Sequence, residues 1–311
     1  LSGFSSAVGE PYRTWIKREI IDAAGLHETD PDMPIAKGAP FAQGHSTKLL
    51  LGERVLIPGD YSTNAIAPAA GFVATARDLA RFFGQLSPGS KRSVLSVVSR
   101  REMTRRQWRN PQSSAEEYYG LGVKCGTLSG WDWFGHGGSL HGYISCTSVV
   151  PEQDLTICAL TNVNNGWAGP WVDGAINILR TFAQRGPPSR RLRDWTGRWW
   201  GMGGAVDFVP SGGRVLMADP AAWNPFLNTG EIEVRRKDEG LIALANGYAS
   251  HGEDVRRVRG KSGSVREVWL AGWKLQREAT AAAEMRGRYQ VVPAIGPVRP
   301  RTRKTAQRQQ K

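Results

Sequence analysis

The stretch Trp131–Asn162, WDWFGHGGSLHGYISCTSVVPEQDLTICALTN, decides the fold. It reads as three strands in succession. Trp131–His136 is the first, closed by the glycine pair Gly137-Gly138. Tyr143–Val150 is the second, dense in β-branched and small residues, and Leu155–Thr161 is the third. Their link, Pro151-Glu152-Gln153-Asp154, is short, polar and starts with proline, so the second and third strands form a hairpin. Both are apolar along most of their length, which predicts an antiparallel sheet covered on both faces, or on one face and part of the other. A histidine followed by two glycines, in His136-Gly137-Gly138-Ser139, leaves backbone N–H groups open to an approaching ligand.

Working outward, 311 residues exceed the usual size of one domain, so two are expected. A hydrophobic content of 40% is enough for a packed core and excludes global disorder. With 37 glycines and 12 tryptophans, many turns and short strands fit better than long helical bundles. Cys125, Cys146 and Cys158 form no disulfide framework, and Cys146 and Cys158, in the two hairpin strands, read as small buried side chains. No run of 18 apolar residues spans a membrane.

Upstream, Pro11–Ile21 is an amphipathic helix with Trp15, Ile16, Ile20 and Ile21 facing a core, stopped by Gly25. Residues 28–60 carry four prolines and little pattern beyond a short strand at Arg54–Ile57, which predicts a long surface excursion containing His45, Ser46 and Lys48. Thr75 and Asp78 open the clearest helix start, with Leu79, Phe82 and Phe83 as its buried stripe. Ser93–Val98 and Arg101–Trp108 read as helix-rich, and Tyr118–Val123 as a strand leading into a turn. Past the organising sheet, Trp167–Ala183 contains a helix spaced to pack Trp171, Ala175, Ile178, Leu179 and Phe182 on that sheet.

Residues 1–185 thus form a first domain, and residues 186–194, beginning Gly-Pro-Pro-Ser-Arg-Arg, read as a linker. Residues 195–289 break into short strand candidates punctuated by Gly, Pro, Asn and Asp, which predicts a small antiparallel β domain, closed or nearly so, with Trp195, Trp199 and Trp269 in its core. Residues 290–311 are a basic tail. Its six Lys and Arg take the formal net charge from +7 to +13. A solvated extension explains the tail, and nucleic-acid contact is disfavoured because no recognised binding fold accompanies the charge.

Chemistry has few places to sit. None of His27, His45, His136, His141 and His251 pairs at the i, i+4 spacing of a helical metal site, so no metal and no cofactor is expected. His136 stands out because it closes a strand beside glycines. An imidazole there can exchange a proton near neutrality, glycine-rich backbone can stabilise an oxyanion, and a strand edge can hold an extended substrate. A turn with an exposed histidine explains the same residues. No G-x-S-x-G occurs, and no lysine has a serine three residues before it.

Five segments in order, PYRTWIKREIIDAAGLHET (11–29), FAQGH (41–45), APAAGFVATARDLARFF (67–83), YYGLGV (118–123) and FGHGGSLHGY (134–143), resemble the serine β-lactamase and penicillin-binding-protein-like superfamily. The nearest branch is that of class C β-lactamases, D-Ala-D-Ala carboxypeptidases and related esterases. The resemblance implies an α/β fold, an antiparallel sheet flanked by helices, and attack by a serine on an amide, lactam or ester carbonyl of a small molecule or peptide. It also implies three motifs: Ser-x-x-Lys, Tyr-x-Asn, and a Lys-Thr-Gly or His-x-Gly wall. His136, Gly137 and Gly138 match the third. The family then implies that His136 meets a substrate carboxylate or the catalytic hydroxyls, that Gly137 and Gly138 line the substrate, and that the Ser139 N–H forms half of an oxyanion hole.

The first two motifs would precede the helix of Trp15, and Tyr61-Ser62-Thr63-Asn64 has the wrong spacing to replace the second. The expectation from sequence is therefore an N-terminally truncated chain with an incomplete sheet. Its nucleophile-bearing segment is expected to be absent and the chain inactive, so a non-catalytic binding module or an inactive remnant of the family stands as the alternative.

Overall fold

Residues 7–49, 52–113, 116–227, 229–244 and 250–290 are described by the computed structural model. The first helix, α1 (Tyr12–Ile16), runs on into a π turn at Lys17–Asp22 and ends at Gly25, whose φ of +70° suits glycine. Ile21 is fully buried with Ala24 and Leu26. Among the described residues of the excursion that follows, the strands are the two-residue β1 (Gly44–His45) and β2 (Leu56–Ile57), paired antiparallel. After the short α2 (Ala67–Ala70) comes α3 (Ala76–Leu86). Its start is as the sequence predicts: the Thr75 hydroxyl accepts the Asp78 N–H at 3.3 Å. The buried Asp78 carboxylate in turn accepts from the Glu28 amide and the Thr29 hydroxyl, tying the helix start to the loop after α1. One helix, α4 (Val97–Thr104), occupies the predicted helix-rich stretch, capped by Ser96.

The organising sheet is a six-stranded antiparallel meander. Its strands, in chain and spatial order, are β3 (Trp108–Arg109), β4 (Glu117–Tyr119), β5 (Lys124–Leu128), β6 (Trp131–Leu140), β7 (Tyr143–Val150) and β8 (Leu155–Thr161). Side chains alternate across it. On one face Val123, Cys125, Phe134 and Val149 bury against Leu86, Phe82 and Phe83 of α3. On the other, Val150, Cys146, Ile157 and Ala159 meet Val172 and Ile176 of α5 (Ala168–Arg185). The sheet is thus covered on both faces, and the β7–β8 hairpin turns through Pro151–Asp154 as read.

Two readings are corrected. The glycine pair does not end β6: the strand runs through it to Leu140, and Leu140 pairs with Tyr143 across the turn at His141-Gly142. Gly135 sits in the strand because a Cβ there would lie 1.9 Å from the Thr147 carbonyl oxygen. The glycines answer to a close strand neighbour as well as to a turn. Helix α5 is also rotated from its predicted phase. Val172 and Ile176 are buried, whereas Trp171 is 56% exposed and Leu179 44%.

Residues 197–276 make a closed eight-stranded antiparallel barrel, larger than the small sheet domain expected. Its strands are β9 (Gly197–Gly201), β10 (Gly204–Ser211), β11 (Arg214–Ala218), β12 (Gly230–Arg236), β13 (Glu239–Leu244), β14 (Asp254–Arg259), β15 (Val265–Leu270) and β16 (Trp273–Gln276). Gln276 pairs with Trp200 to close the ring, which removes both sheet edges. Trp195, Trp199, Phe208, Val215, Ile232 and Val268 fill the interior, together with Leu192 from the preceding turn. Trp269 is only half-buried and stands outside that core. A final helix, α6 (Glu278–Arg288), follows the barrel. Among the described residues no helix is long and apolar enough to cross a membrane. Residues 291–311 of the basic tail lie outside them.

Candidate active site at the open end of strand β6

Strand β5 accompanies β6 only as far as the pair Lys124↔Gly135, while β7 accompanies it to Leu140↔Tyr143. Residues 136–140 therefore have a strand neighbour on one side and, among the described residues, none on the other. The predicted residues His136, Gly137, Gly138 and Ser139 all lie on this overhang. The last three are exposed and His136 is half-buried.

A residue not singled out from sequence joins them. Tyr119, at the end of β4, sits 2.9 Å from His136 Nε2 through its hydroxyl. Their rings meet edge-on, 5.7 Å apart at the centroids and 86° in plane. The Nδ1 of His136 lies 2.6 Å from the Gly137 carbonyl oxygen. A carbonyl only accepts, so this contact puts the ring proton on Nδ1 and makes Nε2 the acceptor of the Tyr119 hydroxyl. Tyr119 is 38% exposed, and its oxygen, donating to His136, retains acceptor capacity. Such a pair can hand a proton to, or take one from, a group seated on the strand edge.

The long excursion borders the other end of the overhang. Tyr143, beside the turn, donates its hydroxyl to the Ala42 carbonyl at 2.7 Å and packs its ring against Gly44 and Gly59. Burial pushes its phenol upward. His45 Nδ1 lies 3.1 Å from the Asn162 carbonyl, and the Asn162 amide donates to the Gln43 carbonyl at 2.8 Å. The Gly142 amide donates to the Asn164 side chain, and Tyr61 reaches His141 at 3.3 Å. Ser46 is buried, its hydroxyl accepting the Val55 N–H at 3.0 Å, which is a structural use.

Behind this stands Asp32, 2% exposed. It accepts from the hydroxyls of Ser62 and Thr63 and from the Thr63 amide. Burial alone would raise this carboxyl, but those donors outweigh it and hold its pKa down to about 2. The Tyr61–Asn64 segment is therefore an anchored turn.

The thiols are unsuited to attack. Burial, then the Asp173 carboxylate, pushes Cys146 up to about 11, and burial raises Cys125 and Cys158. Among the described residues no three His, Cys, Asp or Glu side chains gather as metal ligands.

The protein-family model for beta-lactamase matches residues 4–181. No curated protein matches. Several solved structures are similar. The octameric penicillin-binding protein homologue from Pyrococcus abyssi is 18% identical, with a TM-score of 0.46 over 87% of this chain and 61% of that one. A D-stereospecific amidohydrolase from a Streptomyces species is 28% identical, with a TM-score of 0.43 over 53% and 47%. A beta-lactamase/D-alanine carboxypeptidase from Pseudomonas syringae is 19% identical, with a TM-score of 0.42 over 59% and 56%. The chain thus spans between 47% and 61% of the length of these relatives.

The family match corrects three linked expectations: an N-terminally truncated chain, an absent nucleophile-bearing segment, and inactivity as the result. The model matches from residue 4 onward, so the family assignment rests on the residues present. Where the chain begins decides neither its content nor its activity.

Proposed function

The chain belongs to the beta-lactamase family, and on that premise we propose that it is a hydrolase acting on an amide, lactam or ester carbonyl of a small molecule or peptide. The substrate lies along the open edge of β6. Its backbone-like groups pair with the overhang at Gly137–Ser139, the glycines allow close approach, and the Ser139 N–H is offered to the developing oxyanion. His136 with Tyr119 supplies the polar wall that orients the substrate and moves a proton. The observation that carries this reading is the Tyr119–His136 hydrogen bond at the point where β5 ends and β6 continues. The sequence holds no Ser-x-x-Lys, so the reading assigns the wall and names no nucleophile.

The test is hydrolysis of three chromogenic substrates, a cephalosporin, a D-alanyl anilide and a p-nitrophenyl ester, by the full chain and by His136→Ala. Turnover of at least one, reduced about 100-fold in kcat/KM by the substitution, supports the reading. Turnover indifferent to His136→Ala, or no turnover of any of the three, overturns it.

A further inference from the structure

Helix α5 lies along the sheet with its first turns and meets the barrel with its last. Where it does, a cavity of about 190 Å³ opens between Arg180, Thr181 and Arg185 on the helix and Phe226, Thr229 and Glu231 on the barrel side. Two of its polar atoms, Arg180 Nε and Thr229 Oγ1, are shut off from solvent without a hydrogen-bond partner. Arg185 is committed, since it pairs with Glu231. Arg180 has no carboxylate partner among the described residues. Native proteins rarely leave a buried arginine donor and a buried hydroxyl unpaired at one seam. Formal charges here are two arginines against one glutamate, an excess of one positive charge.

We propose that this seam is a binding site for a small oxyanion, a carboxylate or an inorganic phosphate, with Arg180 and Thr229 as its donors. A planar guanidinium presents donors that match two oxygens of such a group at once. The hydroxyl of Thr229 adds a third contact from the barrel. The bound anion therefore bridges helix and barrel and stabilises their packing, because it binds only when both are in place. It lies away from the His136 overhang and is independent of the function proposed there.

The experiment is thermal unfolding of the full chain in sodium phosphate, in sodium acetate and in sodium chloride at one ionic strength, which cancels general screening. Millimolar phosphate or acetate is expected to raise Tm above the chloride value by about 3–5 °C. A rise with phosphate alone assigns a tetrahedral oxyanion, and a rise with both assigns the carboxylate class. In either case Arg180→Met, which keeps the apolar stem, must abolish it. If Arg180→Met does not fold, Thr229→Val must reduce the rise at least twofold. Equal Tm in all three salts, or a rise that survives the substitution, overturns the proposal.

Discussion

Tyr119 and His136 stand two strands apart in the sheet, and their side chains are joined at 2.9 Å because β5, the strand between them, stops short. Tyr119 pairs with Lys124, Lys124 pairs with Gly135, and His136 is the next residue along β6. The end of one strand thus exposes a tyrosine, a histidine and free backbone at one place.

That geometry separates function from stability at two positions. Tyr119 is 38% exposed and His136 is half-buried at the rim, so neither carries much core packing. Tyr119→Phe removes the donor to Nε2 and is expected to lower kcat/KM about tenfold, the scale of one neutral hydrogen bond, while stability moves by less than about 0.5 kcal/mol. Steady-state kinetics on the best substrate, with a urea titration of each variant, checks both halves.

The glycines of β6 divide in the same way. At Gly135 an added Cβ would meet the Thr147 carbonyl at 1.9 Å, and backbone cannot yield cheaply inside a six-stranded sheet. Gly135→Ala is expected to cost about 2–3 kcal/mol of unfolding free energy. At Gly137 the nearest atom is the Ser145 carbonyl at 3.3 Å, so Gly137→Ala folds and its effect falls on substrate binding. Urea midpoints of the two variants, set beside KM for Gly137→Ala, test the distinction.

Asp32 makes a pH-dependent contribution whose sign follows from its depressed carboxyl. Its pKa is held to about 2, below the ordinary value of 3.8. The unfolded chain therefore binds the proton first. The stabilisation is fully present above about pH 4 and is lost as the pH falls toward 2. Converted directly, it amounts to about 2 kcal/mol. Asp32→Asn is expected to lower stability by about that much at pH 7 and to flatten the decline between pH 4 and 2. Urea unfolding at pH 7, 4 and 2.5 measures it. An unchanged slope would remove Asp32 as the anchor of the Ser62–Asn64 turn.

Local signals were the ones legible in the sequence. The β-branched runs of β7 and β8, the proline-led link between them, and the Thr75 cap all depend on neighbours within a few residues, and the structure keeps each. The phase of α5 is not legible in the sequence because Trp171 looks like a core residue, while Val172 and Ile176 are what fit beneath the sheet. The length of β6 is hidden in the sequence because Gly137 and Gly138 resemble a turn, and the approach of β7 shows that glycine suits an extended strand here. Barrel closure rests on Gln276 meeting Trp200, a pairing across the whole domain. His136 was visible from its own surroundings. Tyr119 was not, because its role needs the register of three strands. The YYGLGV segment (118–123), which contains Tyr119, carries the family resemblance but not this role.

The barrel offers a last prediction, at Trp195 and Arg257. Arg257 has a side chain only 1% exposed and stacks its guanidinium 4.1 Å above the Trp195 ring. It donates to the Asp194 and Lys237 carbonyls and pairs with the Asp194 and Asp238 carboxylates at 3.1 and 3.0 Å. Trp195, fully buried, donates its own Nε1 to the same Lys237 carbonyl at 3.1 Å. One planar cation thus satisfies the residues leading into the barrel and the β12–β13 turn together. Arg257→Met keeps the packing over Trp195 but removes the donor to the Asp194 carbonyl, while Arg259 still pairs with both carboxylates and Trp195 still donates to the Lys237 carbonyl, so the expected cost is about 1–3 kcal/mol. Arg257→Lys keeps the charge yet cannot reach two carbonyls and two carboxylates from one ammonium, so it should recover less than half of that loss. If the two variants unfold at the same urea concentration, the arginine acts through packing alone. If lysine restores wild-type stability, charge without fork geometry is sufficient.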